Sequence, residues 1–143
     1  MKRIITILVL LISFSGFAQK DDKIQSLKIG FFTEKLDLSS EEAKKFWPVY
    51  NKHSNLFKDL KHKEWMSVRK RLAKVEDLSE AEAEVLLEDY MSYKSQRKKL
   101  RENFVEELKT VITPKQIMTL KYAEYQFNKK LLKQYNTSST SKD

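Results

Sequence analysis

Cysteine is missing from the chain. That excludes a disulfide framework, a thiolate nucleophile, a cysteine metal site and a lipid-modified terminal cysteine. Glycine occurs only at Gly16 and Gly30, and proline only at Pro48 and Pro114. So few turn formers, with no Asn-Gly or Asp-Gly pair, exclude a hairpin-rich β architecture and point to long helices with few connections. Histidine is equally sparse: His53 and His62 stand nine residues apart on one expected helix, face different ways and match no ligand spacing. There is no glycine-rich phosphate loop, no serine elbow and no isolated carboxylate pair. These absences predict no catalytic residues, no cofactor and no metal, and hence no enzyme.

The first residues have the order of a secretory signal peptide. Lys2 and Arg3 precede the apolar run Ile4 to Ile12, and Gly16 and Ala18 flank a cut before Gln19. The run is shorter than the roughly 20 residues a membrane-spanning helix needs. The expectation is therefore a signal peptide over residues 1–18, removed on export, and a periplasmic protein. Removal of 18 of the 143 residues leaves 125, the size of one domain. The formal charge of +8 falls to +6 when Lys2 and Arg3 leave. A basic balance beside abundant glutamate is compatible with acidic partners, but an exported chain does not meet nucleic acid.

Three segments share one local pattern: Leu38-Ser39-Ser40-Glu41-Glu42, Leu78-Ser79-Glu80-Ala81-Glu82 and Ile112-Thr113-Pro114-Lys115-Gln116. Each sets a Ser or Thr three residues before a Glu or Gln, so that each side chain can satisfy the other residue's free backbone N–H. Pro114 falls at the first helical position, where its missing donor costs nothing. The boxes divide residues 19–135 into four helices, from about Asp22 to Leu36, Ser40 to Val75, Glu80 to Val111 and Pro114 to Gln134. The Ser/Thr-rich residues 136–143 read as a disordered tail.

The predicted class is all-α. On the third helix Leu86, Tyr90, Tyr93, Arg97, Leu100, Phe104, Leu108 and Val111 recur at steps of three and four. The second helix matches them with Phe46, Tyr50, His53, Phe57, Leu60, Val68, Leu72 and Val75, and the fourth carries Ile117, Leu120, Phe127 and Leu131. A short connection near Glu76 to Leu78 forces the second and third helices into an antiparallel hairpin, roughly 50 Å long. Arg97 inside its stripe marks the place where packing gives way to a polar seam or a dimer contact.

Pro48 predicts a kink, with Phe46, Trp47 and Tyr50 forming an aromatic elbow around it. Two basic stretches are the candidate partner-binding residues. One contains Lys58, Lys61, Arg69, Lys70 and Arg71, and the other Lys94, Arg97, Lys98 and Arg101. They read either as a solvated face balanced by Asp59, Glu64, Glu102, Glu106 and Glu107, or as a cationic rim that steers partners toward exposed apolar patches. Anionic lipid is a third reading.

The first and third of the Leu/Ile-Ser/Thr-x-x-Glu/Gln motifs, seventy-four positions apart, resemble the paired Leu-Thr-x-x-Gln motifs of the Spy/CpxP family of periplasmic proteins. The motif residues are Leu38, Ser39 and Glu42, then Ile112, Thr113 and Gln116. The first has Ser39 for Thr and Glu42 for Gln, which keeps the capping role. Phe46-Trp47-Pro48-Val49-Tyr50, after Thr33 to Leu38, is similar to the branch labelled sensor of extracytoplasmic-function sigma factor. The resemblance implies a long helical hairpin with shorter flanking helices, usually paired as a homodimer. It also implies an ATP-independent chaperone for unfolded or partly folded envelope proteins, or a stress-response partner of a membrane-bound sensor or anti-sigma factor. A structural or lipid-surface envelope protein is the remaining alternative.

Overall fold

The computed structural model describes residues 15–140, with side chains over 22–137. All of its regular structure is helical: α1 (Ser15–Leu36), α2 (Ser40–Leu60), a π-helical turn (Lys61–Trp65), α3 (Met66–Leu72), a 3-10 turn (Val75–Asp77), α4 (Glu80–Lys109) and α5 (Pro114–Thr140). The expected signal segment lies outside the described residues up to position 14, and residues 15–18 belong to α1. The chain divides into two compact units, residues 1–38 with 118–143, and residues 39–117.

The helix boundaries follow from local chemistry. The backbone N–H of Ser39 donates to Glu42 Oε2 at 3.0 Å, while that of Glu42 donates to Ser39 Oγ at 3.2 Å. Ser79 and Glu82 repeat this at 2.9 and 3.2 Å, as do Thr113 and Gln116. Each box closes two donors that the first helical turn leaves open. The bond from the Ser79 backbone N–H, then that from the Ser79 hydroxyl, holds the Glu82 carboxyl below the usual glutamate range.

The end of α1 uses a device that no glycine announces. Asp37 takes a positive φ of 51°. Its N–H donates to the Glu34 carbonyl at 3.1 Å, and the Leu38 N–H reaches back to the Thr33 carbonyl at 3.2 Å. This is a Schellman cap with aspartate in the left-handed position, where a short polar side chain is tolerated better than most.

In the second unit, α2, the π turn and α3 run antiparallel to α4. Tyr50 meets Phe104 at 6.1 Å between ring centroids, Trp65 stacks on Tyr93 at 5.2 Å, and Arg71 Nη2 bonds Asp89 Oδ2 at 2.6 Å. The helix persists through Pro48. The π turn was not expected, but the apolar spacing explains it. From Leu60 the next apolar residue on the stripe is Trp65, a step of five that an α-helix cannot keep on one face. The Met66 N–H bonds the Lys61 carbonyl, five residues back, and this single wide turn brings Trp65 rather than Glu64 onto Tyr93.

In the first unit, Phe32 is fully buried, and Phe31 and Phe32 of α1 meet Phe127 of α5 at 5.7 and 5.9 Å. A groove of about 330 Å³ beside them is lined by Leu27, Gly30, Phe31, Phe127, Lys130 and Leu131. The tail expected to be disordered from Asn136 is helical as far as Thr140, and residues 141–143 lie outside the described ones. Extending an existing helix adds one backbone bond per residue fixed. The Thr137 hydroxyl also folds back onto the Lys133 and Gln134 carbonyls, at 3.1 and 2.9 Å.

Candidate functional site: the waist of the helical hairpin

The core of the hairpin is interrupted. On the α2 side of one end, Phe46, Tyr50 and His53 are buried, and on α4 Phe104 and Leu108. Toward the other end the buried residues are Val68, Leu86 and Tyr93. Between them, no residue of 54–67 or 94–103 is buried. The contacts of Tyr50 and His53 with Phe104, and of Trp65 with Tyr93, set these two stretches opposite each other. They form a waist in which no side chain of either stretch is buried.

This waist still carries apolar side chains: Leu56, Phe57, Leu60, Trp65, Met66 and Leu100. Around them stand eight cations, Lys58, Lys61, Lys63, Lys94, Arg97, Lys98, Lys99 and Arg101, against three acids, Asp59, Glu64 and Glu102. All eight cations are exposed. Lys98 lies 3.8 Å from Glu102, and the Lys94 ammonium stands 5.7 Å from the centre of the Tyr90 ring. Exposed pairs of this kind contribute little to stability. The chemistry offered is a partly exposed apolar strip with a positive rim.

The structure sorts the two basic stretches. Lys58 and Lys61 lie level with Lys94 to Arg101, because Trp65 pairs with Tyr93 and His53 with Phe104. Arg69, Lys70 and Arg71 lie beyond them, level with Glu88 and Asp89, and Arg71 is committed to Asp89. Arg97 is exposed, so the stripe on α4 breaks there instead of continuing into the core. A stripe drawn from sequence cannot register whether its opposite number is present, and the level facing Arg97 holds Lys61, His62 and Lys63.

The aromatic elbow is structural packing. Phe46 is fully buried and contacts Trp47 at 4.9 Å and Tyr50 at 5.6 Å, while Pro48 is exposed. Of the motif residues, Leu38 is half-buried and Ile112 buried, and Ser39, Glu42, Thr113 and Gln116 form the caps described above.

One group near the waist, His53, stood in the apolar stripe of the second helix but carried no sequence signal of its partners. His53 is 2 % exposed and lies on the Phe104 ring at 4.9 Å. Its Nε2 is 3.4 Å from Glu107 Oε2 without hydrogen-bond geometry, and neither ring nitrogen has a hydrogen-bond partner. Glu107 is bound by the Lys52 ammonium. That hydrogen bond, opposed by partial burial and reinforced by the Lys52 charge, holds the Glu107 carboxyl below the usual range.

Among the described residues no three of His, Cys, Asp and Glu come together as a metal site would require, and no helix is long and apolar enough to cross a membrane. Comparison with family models, curated proteins and solved structures finds no match to the chain.

Proposed function

We propose that this protein binds unfolded or partly folded polypeptides of the cell envelope at the waist of its hairpin, without ATP and without catalysis. The observation that carries the reading is the pairing of 54–67 with 94–103, where six apolar side chains, Leu56 exposed and the other five partly exposed, lie inside a rim of eight exposed cations. The cations supply long-range attraction to acidic segments of a chain, which raises encounter rates but is screened by salt. The apolar strip then supplies contact, since apolar surface left uncovered beside polar residues marks an interaction site. Because the strip is built from two facing helices, it presents side chains of both and accommodates segments of varied sequence, as a weak binder of many clients requires.

The test is suppression of aggregation of an unrelated unfolding protein at near-stoichiometric ratio, repeated at high salt. Suppression that weakens with salt is the expected result. If none of several clients is protected, the reading fails and a dedicated regulatory partner takes its place. Strong binding to anionic vesicles without client protection would instead favour a lipid-surface role.

A further inference from the structure

Helix α5 is apolar on two sides. Its inward side is made by Leu120, Ala123 and Phe127, all buried. On the opposite side stand Met118 at 67 % exposure, Tyr122 at 62 %, Tyr125 at 61 % and Leu132 at 65 %, with Lys129 between the last two. Their spacing is four, three, four and three. At 3.6 residues per turn that places all five within roughly a quarter of the circumference. The Tyr122 and Tyr125 rings are stacked, with centroids 6.5 Å apart, which gives the strip a continuous flat centre. From Met118 to Leu132 it runs about 21 Å.

We propose that this seam docks one amphipathic helix of a partner protein whose apolar residues are flanked by carboxylates, one of them meeting Lys129. The spacing is that of the two core positions of a heptad, and a strip this narrow fits the groove of a single facing helix. A bilayer surface calls for a broader apolar face than this. Charge then selects the partner. Glu124 is the single acid of α5, and it lies 3.5 Å from Lys121 on the same helix. Among the described residues Lys129, Lys130 and Lys133 make no ion pair. A second copy would bring the same lysines to the seam with no carboxylate to receive them, whereas an acidic helix supplies what the core-position lysine and its neighbours lack. The seam and the waist belong to different compact units, so this inference does not depend on the client-binding reading.

The test uses the whole protein and two synthetic helices about three heptads long that share a leucine core and differ only in flanking Glu or Lys. The Glu peptide is expected to bind at least about tenfold tighter than the Lys peptide. The double variant Tyr122→Ser/Leu132→Ser should weaken that binding by about tenfold or more, and Lys129→Glu should shift preference toward the Lys peptide. The replaced side chains are exposed, so an unchanged circular dichroism spectrum and melting curve accompany the expected loss. Equal affinity for the two peptides, or a double variant that binds like the wild type, overturns the proposal. So does a sedimentation run showing a dimer that the double variant splits, because a second copy then covers the seam. Binding to phosphatidylglycerol vesicles that the double variant abolishes, with neither peptide bound, overturns it in favour of a membrane face. Any of these failures leaves aggregation suppression by the waist untouched.

Discussion

The two ends of the hairpin and its waist are built from the same two helices, yet they differ in what each side chain faces. At the Phe104 end, rings from α2 and α4 interlock: Phe46, Tyr50, His53 and Phe104 are all buried. Across the waist the apolar residues Leu56, Phe57, Leu60 and Leu100 keep helical spacing but none is buried. A pattern that builds a core at one level leaves a surface at another, because burial requires a partner side chain across the gap. Charge accentuates the contrast. Cations crowd the waist, whereas Glu107 beside the packed end is tied to Lys52. Stability should therefore reside at the packed end and recognition at the waist.

Phe104→Ala should produce the largest loss, about 3 to 5 kcal/mol in urea unfolding, because it leaves a cavity under Tyr50 and His53. Leu100→Ala, one turn away but only half-buried, should cost well under half as much; equal losses would erase the distinction between end and waist. Ser79→Ala removes the acceptor for the Glu82 N–H and should cost about 1 kcal/mol. His53→Leu is expected to move the other way, raising stability by about 1 kcal/mol, since it replaces two buried nitrogens that lack partners with apolar volume. A drop would mean that the imidazole holds the end together through Glu107. The smallest effect concerns acid. A carboxyl whose folded pKa is lowered contributes stability above its unfolded value, about 4.3 for glutamate, and loses it as pH falls through the lower folded value. Glu107→Gln should flatten the stability profile over that range relative to wild type, and a profile unchanged by the substitution would show that the Lys52 contact is not formed in solution.

Helix starts were legible because a capping box is chemistry within four residues: Ser39 with Glu42, Ser79 with Glu82 and Thr113 with Gln116 need nothing from elsewhere. The antiparallel hairpin was legible from two long stripes and a short link. The π turn was hidden, although the five-residue step from Leu60 to Trp65 contained it. Asp37 gave little notice of its left-handed turn, because glycine is the usual occupant. The interrupted core was only hinted at by Arg97, since spacing along one helix does not report what the facing helix places at the same level. The second face of α5 could have been found by asking whether Met118, Tyr122, Tyr125 and Leu132 share a side that Leu120 and Phe127 do not.

The most direct test of the central claim is an NMR titration of the protein with an unfolded client chain, following every assigned backbone amide. Binding at the waist should shift resonances within 54–67 and 94–103, with the shifts collapsing for Lys61→Glu/Arg97→Glu while the Phe104 end stays unchanged. Shifts confined to the α5 seam, or spread evenly over the chain, would contradict the account.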